Sequence, residues 1–83
     1  MQLTTTDVVA ILRDMNLPGV YPDFLEFDQP LLTQGIDSLD ALTIFTQVEE
    51  KYAIHIPDED FEQLASIDDI VRYVNQHFGE RVA

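Results

Sequence analysis

Three segments of this 83-residue chain carry apolar residues at the spacing of an α-helix, and this periodicity restricts the possible folds more than any other feature. Residues that recur every three to four positions lie on one face of a helix and can be buried together. The pattern predicts helices over about residues 5–16, from Ser38 to about Tyr52, and from Ser66 to Gly79. Helices with one apolar face each must pack against one another, so we expect a helical bundle.

Polar residues at two of the predicted helix starts have the spacing of a capping box. Thr4 precedes Asp7 by three positions and Ser66 precedes Asp69 by the same distance, so each pair can satisfy free N–H groups of a first helical turn. Gly79 is expected to end the last helix, since glycine often follows a helix C-terminus. The apolar faces consist of Val8, Ile11, Leu12 and Met15; of Leu39, Ala41, Leu42, Ile44, Phe45, Val48 and Tyr52; and of Ile67, Ile70, Val71, Val74 and Phe78.

A long loop is predicted between the first two helices, over residues 17–37. Prolines and glycines interrupt it at Pro18, Gly19, Pro22, Pro30 and Gly35. Its large apolar side chains are those of Phe24, Leu25, Phe27, Leu31 and Leu32. A loop of this length in a compact domain is usually functional or held by its own contacts. We expect these apolar side chains to plug the core, and they can also line a path for a buried ligand.

The segment between the second helix and the last helix is expected to contain an extended stretch followed by a short helical turn. Residues 53–57 are expected to be extended, because Pro57 disfavours helix at the residue before it. A brief helical turn from Glu59 to Leu64 is expected to point Phe61 and Leu64 inward. The prediction is therefore an all-α fold: a small four-helix bundle of three longer helices and one short helix, with a long loop between helices one and two, in a single domain of residues 1–83.

The charge of the chain restricts its partners. Sixteen Asp and Glu residues oppose four Lys and Arg residues, which gives a net charge of −12. Nucleic acid and anionic membranes are excluded as partners, because both attract clustered cations. Basic protein surfaces are expected instead. The chain has no cysteine and no apolar run near the ~20 residues that span a bilayer, so we expect a cytoplasmic monomer without membrane insertion.

One serine stands at the predicted junction of the long loop and the second helix. It is Ser38, in the run Gln34-Gly35-Ile36-Asp37-Ser38-Leu39-Asp40. Serine and aspartate are common N-cap residues, and acids at a helix N-terminus are favoured by the helix dipole. The serine can therefore be a simple helix cap, or it can be an exposed site for modification.

The second half of the chain resembles acyl carrier proteins. The resemblance runs from Gly35 to Val74 and rests on four strings: Gly35-Ile36-Asp37-Ser38-Leu39-Asp40, Glu49-Glu50-Lys51-Tyr52, Ile56-Pro57-Asp58-Glu59-Asp60 and Ile70-Val71-Arg72-Tyr73-Val74. It implies a four-helix bundle in which a transferase attaches 4′-phosphopantetheine from coenzyme A to Ser38 through a phosphodiester. The thiol of that arm holds acyl groups as thioesters for other enzymes, and the carrier has no active site of its own.

The resemblance also assigns roles to residues around the serine. Asp37 and Leu39 are its neighbours in the attachment motif. Asp40, Glu49 and Glu50 correspond to acids that bind basic surfaces of partners, namely the phosphopantetheinyl transferase and acyl-handling enzymes of fatty-acid, polyketide or related specialised biosynthesis. The chain departs from fatty-acid carriers at four positions: Thr33, Gln34, Thr43 and Thr46. These departures leave open which biosynthetic pathway the chain serves, but they do not change the expected carrier role.

Two alternatives from the sequence stay open. The chain can be an acidic helical adaptor without a prosthetic group, in which Ser38 is only an N-cap, or a carrier of aminoacyl or peptidyl groups.

We expect no metal site, since His55 and His77 lack a nearby ligand at metal-binding spacing. We also expect no hydrolase, because Gly-Ile-Asp-Ser-Leu lacks the second glycine of a nucleophile elbow.

Overall fold

The computed structural model describes the backbone of residues 2–82 and the side chains of residues 2–79. It contains three α-helices, α1 (Thr5–Met15), α2 (Ser38–Tyr52) and α3 (Ile67–Val82), and no β-strand within the described backbone. A 3₁₀ helix at Asp58–Gln63, called the short helix below, is the predicted fourth helix. The predicted all-α bundle is confirmed. Of the predicted domain, Met1 and Ala83 lie outside the described residues.

The loop between α1 and α2 contains two 3₁₀ helices that the sequence did not predict. They span Pro22–Phe24 and Leu31–Gln34. The second ends at Gly35, whose φ of 88° is in the left-handed region that favours glycine. The loop is therefore ordered by short helical turns up to the residues just before Ser38.

Both predicted capping boxes are present. Thr4 Oγ1 accepts a hydrogen bond from the Asp7 N–H at 3.2 Å, and the Thr4 N–H donates to Asp7 Oδ2 at 2.9 Å. At the start of α3, Ser66 Oγ accepts from the Asp69 N–H at 3.1 Å while the Ser66 N–H donates to Asp69 Oδ2 at 3.2 Å. Each box satisfies N–H groups that a helix start otherwise leaves without partners.

The prediction that Gly79 ends the last helix is wrong. The chain leaves helical geometry at Phe78, with φ −136° and ψ 18°, and α3 then resumes up to Val82. A glycine that ends a helix does so by adopting positive φ, and Gly79 does not adopt it. It lies instead beside the N-terminal segment, where a Cβ would be 3.5 Å from Gln2 Nε2.

The core fills the space between the three α-helices. Its buried residues include Val8, Ile11 and Leu12 of α1, Ile44, Phe45 and Val48 of α2, and Ile67, Ile70, Tyr73 and Val74 of α3, together with Leu31, Ile36, Ile54, Ile56 and Leu64 of the connecting segments. The predicted face of α2 is wrong at its first two turns, because Leu39 and Leu42 are exposed. Leu39 precedes Val48 by nine residues, about two and a half turns, and so lies on the opposite side of the helix.

The expectation that the apolar residues of the loop plug the core is right for Leu31, which is buried, and for Leu25, which packs against the core. It is wrong for Phe24, which is 85% exposed, and for Leu32 and Phe27, which are also exposed. Side chains of a 3₁₀ turn project about a third of a turn apart, so a single turn cannot direct every apolar residue inward.

The side chain of Gln34 holds the loop together. Its Nε2 donates to the carbonyl oxygens of Glu26 at 2.9 Å and Gln29 at 3.1 Å, and its Oε1 accepts from the Glu26 N–H at 2.7 Å. The loop is also tied to the start of α3, because the Leu31 N–H donates to the Ala65 carbonyl at 2.8 Å. These bonds fix the position at which the chain enters α2.

Candidate functional site

Ser38 is the first residue of α2 and is exposed to solvent. The N-cap is the residue before it: Asp37 has an extended backbone, and its Oδ1 accepts a hydrogen bond from the Asp40 N–H at 2.8 Å. The capping bond is thus made by a carboxylate and does not require the serine hydroxyl. The alternative in which Ser38 serves only as an N-cap is therefore contradicted by the structure.

The surroundings of Ser38 fit a covalently attached phosphodiester. The hydroxyl lies at the positive end of the α2 dipole, where backbone N–H groups favour an anion. On the loop side, Ile36 is buried and fixes the chain, while Gly35 has open space where a Cβ would stand. Because Ser38 itself is exposed, its hydroxyl has room for a bulky substituent.

A groove with a volume of about 330 Å³ begins at Ser38. One wall is formed by Ala41, Leu42 and Phe45 of α2, and another by Phe61, Leu64 and Ala65. The loop residues Pro30, Leu31 and Leu32 close the third side. Of the residues that line the groove, only Ser38 and Glu62 have polar side chains. The expectation that loop residues line a path for a ligand thus fits Leu31 and Leu32.

The three acids assigned to partner binding do not share one face of α2. Glu50 follows Asp40 by ten residues, about 2.8 turns, and so lies within about a quarter turn of it. Glu49 follows by nine residues, about 2.5 turns, and lies on the other side. Asp40 and the exposed Glu50 therefore point to similar sides of α2 but lie about 15 Å apart along its axis, and the exposed Leu39 lies next to Asp40.

The carboxylate of Glu49 is used inside the protein. Its Oε2 accepts a hydrogen bond from the Ile56 N–H at 2.9 Å and lies 3.2 Å from Nδ1 of His55. The Glu49 side chain is only 21% exposed, because the extended stretch after α2 folds back over it. This contact between α2 and the chain that leads to the short helix was missed by the sequence analysis, where Glu49 was grouped with the exposed acids.

A second polar contact that the sequence did not predict holds the short helix against α3. The buried Tyr73 donates its phenolic hydrogen to Oδ2 of Asp60. Burial, this hydrogen bond and the negative charges of Asp60 and Glu59 raise the pKa of Tyr73 from 10.0 to about 12. The only signal in the sequence was the position of Asp60 in a string that resembles carrier proteins, which did not reveal its partner.

Within the described part of the chain, no group of three or more His, Cys, Asp or Glu residues is arranged to hold a metal ion. No helix among the described residues is both long and apolar enough to cross a membrane.

Comparison with known proteins identifies relatives over most of the chain. Residues 17–74 match the family model described as "Phosphopantetheine attachment site". The acyl carrier protein of Chlamydia trachomatis serovar L2 is 35% identical over 72 residues, which cover 86% of this chain and 91% of that protein. Acyl carrier proteins of Campylobacter jejuni subsp. doylei and of Campylobacter jejuni are 44% and 46% identical over 73 residues, each covering 87% of this chain and 92% of the relative.

These matches confirm the resemblance that the four sequence strings indicated. They confirm the carrier function and 4′-phosphopantetheine as the covalent cofactor, and they do not favour the adaptor or the aminoacyl carrier. Because the family model matches more than half of the chain and the relatives align over most of its length, the chain belongs to the family of acyl carrier proteins that bear a phosphopantetheine attachment site.

Proposed function

We propose that Ser38 is the residue to which phosphopantetheine is attached. The observation that carries this proposal is that Asp37 makes the capping bond of α2, which leaves the exposed serine hydroxyl without a structural task there. The second serine of the chain, Ser66, is buried and accepts the capping bond of α3. Of the two serines, Ser38 alone combines exposure with freedom from capping.

The attachment is a phosphoryl transfer to the Ser38 hydroxyl. The Oγ–H bond of the serine breaks and an Oγ–P bond forms, while the pyrophosphate bond of coenzyme A breaks and adenosine 3′,5′-bisphosphate leaves. A base on the transferase takes the proton. When attached, the arm supplies a thiol that forms a thioester with the acyl group. This chain contributes the position of the hydroxyl and the positive end of α2 near the new phosphodiester.

The groove beside Ser38 supports an acyl cargo rather than an aminoacyl one. Nine of its eleven lining residues have apolar side chains, and a charged ammonium would meet one acid there, Glu62, while losing water against the apolar walls, which is costly. Each buried methylene of an acyl chain gains about 0.8 kcal/mol. We therefore propose that the acyl group lies in the groove, where the protein shields it from water between encounters with enzymes.

Partner enzymes are proposed to contact the exposed side of the first turns of α2. Asp37 and Asp40 supply negative charge there, Leu39 supplies an exposed apolar side chain, and Glu50 adds a negative charge near the other end of the helix. Basic surfaces of a phosphopantetheinyl transferase and of acyl-handling enzymes in fatty-acid, polyketide or related specialised biosynthesis are complementary to this face. We propose that the chain itself catalyses no reaction, and that it acts as a monomeric, cytoplasmic domain over residues 1–83.

The experiment that tests the attachment site is loading followed by mapping. The apo protein is incubated with coenzyme A and a broad-specificity transferase, and the adduct is located by mass spectrometry of peptides. We expect one phosphopantetheine on Ser38, none on Ser66 and none on the Ser38→Ala variant. An adduct on Ser66, or no adduct on a correctly folded wild-type protein, would refute the proposal. The Ser66→Ala variant is the matched control and should still be loaded.

A further inference from the structure

Two phenylalanines line the groove at the position on α2 that is farthest from Ser38. Phe45 is the last α2 residue that lines the groove, seven residues after Ser38. At 1.5 Å per residue this places it about 10 Å along the helix axis. Phe61 of the short helix faces it, with ring centroids 5.1 Å apart and planes tilted by 40°. The contact joins the two walls of the groove.

Behind this pair the protein is close-packed. Phe45 is 4% exposed, and the next inward residue of α2, Val48, is fully buried. Ile56, which leads into the short helix, is also buried. Packed interiors resist even one additional methylene, so an acyl chain that enters beside Ser38 meets the pair and has no open space beyond it.

Phe61 is held in place by its own element. The neighbouring residue, Asp60, accepts the hydrogen bond from the buried Tyr73 of α3, and the Leu64 N–H donates to the Phe61 carbonyl at 3.0 Å. Leu64 is buried in the core. The backbone is thus held on both sides of Phe61, and this places its ring against that of Phe45.

We propose that the Phe45–Phe61 pair sets the maximum length of the acyl group that this carrier shields, and that its cargo is an acyl chain short enough to end at the pair. The proposal rests on the proposed function and adds the class of cargo. The groove volume of about 330 Å³ is at the lower end of the ~300–1,000 Å³ that small-molecule sites span. That size suits a short chain, and Phe61 is the residue whose removal enlarges the space.

The test measures how well the protein protects thioesters of increasing length. Butyryl, hexanoyl, octanoyl, decanoyl and dodecanoyl forms are made with the transferase and the matching acyl-coenzyme A, and loading is verified by intact mass. Hydroxylamine is then added; it attacks the thioester carbonyl and releases the free thiol and the acyl hydroxamate. If hydroxylamine attacks only the form in which the acyl chain has left the groove, each shielded methylene should slow the reaction by up to about fourfold. This factor corresponds to the free energy of about 0.8 kcal/mol that each buried methylene gains.

We expect protection by the wild-type protein to increase along the series and then to level off or fall once the chain reaches the pair. In Phe61→Ala and Phe61→Leu variants, the increase should continue to longer chains, further in the alanine variant. Phe24→Ala is the matched control, because Phe24 is 85% exposed and does not line the groove. Its profile should coincide with that of the wild type. Melting temperatures of the same acylated forms should show the same dependence on length.

Each outcome has a distinct meaning. A wild-type profile that rises through dodecanoyl, or the same turning point in the Phe61 variants, would overturn the proposed length limit while leaving the carrier function intact. Failure to load Ser38 at all would instead refute the proposed function. Since each profile compares chain lengths within one variant, a general loss of stability in Phe61→Ala cancels, and the milder Phe61→Leu change provides a second folded variant.

Discussion

Replacing Asp37 by alanine should destabilise the fold, although the residue is exposed and is not part of the core. The change removes the acceptor of the Asp40 N–H bond at 2.8 Å, and loss of an N-cap costs about 0.5–2 kcal/mol. It also removes a negative charge from the positive end of α2, which adds about 0.3–1 kcal/mol. Relief of repulsion in a chain of net charge −12 offsets part of this. We expect a net loss of about 1–2 kcal/mol.

The neighbouring change Ser38→Ala should behave differently. The serine hydroxyl does not make the capping bond, and alanine has the higher helix propensity, so the change should stay within about 0.5 kcal/mol of the wild type. Ser66→Ala is the positive control, because it removes the acceptor of the buried capping bond from the Asp69 N–H. Its expected cost is about 1–3 kcal/mol, the scale of a buried donor left unsatisfied.

The assay is urea unfolding of the apo proteins followed by circular dichroism, with thermal melting as a second measure. A change of 1 kcal/mol shifts the melting temperature of a domain of this size by about 4–8 °C. Asp37→Asn separates the two contributions, since asparagine caps a helix about as well as aspartate but carries no charge. If Ser38→Ala lost as much stability as Asp37→Ala, the serine would be a cap and the main support for its assignment as the attachment residue would be lost.

Four further predictions concern other contacts. Folding raises the pKa of Tyr73 from 10.0 to about 12, so its contribution to stability is complete below pH 10 and is lost as the pH rises to about 12, a loss on the order of 2 kcal/mol. Alkaline urea titration should show this loss in the wild type and not in Tyr73→Phe. Glu49→Ala should lower the free energy of unfolding in urea by about 1–3 kcal/mol, because it leaves the buried Ile56 N–H without its acceptor. Glu50→Ala is the control and should lower it by less than about 0.5 kcal/mol. Equal losses in the two variants would contradict the internal role of Glu49. Asp40→Lys should slow transferase association and reduce its dependence on salt in stopped-flow measurements, and unchanged rates would place the partner-binding face elsewhere. The melting temperature should rise as NaCl is added, with magnesium acting at lower concentration, since like charges repel in the folded state; flat titrations would show that the carboxylates are already well separated.

Local patterns in the sequence predicted those parts of the fold that local interactions decide. The bounds of α2 and the two capping boxes depend on residues within one helical turn of each other, which a single sequence displays directly. The choice between Asp37 and Ser38 as the N-cap could not be made in this way, since both residue types cap helices well. Backbone geometry settles it by making Asp37 the last non-helical residue.

Contacts between distant segments were harder to predict, for a different reason. The internal role of Glu49 depends on the path by which the following chain returns over α2, and charge alone does not distinguish it from the neighbouring Glu50. The outward position of Phe24 depends on a single 3₁₀ turn inside the loop. The groove forms only where three segments of the chain meet, and the sequence alone does not show that its lining residues lie close together.

The bonds of Gln34 have a consequence for the order in which the protein opens. Three hydrogen bonds from one exposed side chain hold the loop to itself at Glu26 and Gln29, and none of them belongs to an α-helix. Breaking them therefore removes the local ties of Glu26 and Gln29 without melting α1 or α2, while the bonds from the Leu31 N–H to the Ala65 carbonyl and from the Asp68 N–H to the Phe27 carbonyl still hold the loop to the start of α3. In a hydrogen-exchange experiment the amide of Glu26 should exchange well before the central amides of the helices. Leu31, which forms one side of the groove, should stay in place during this local opening, because its N–H remains bonded to the Ala65 carbonyl and its side chain remains buried in the core.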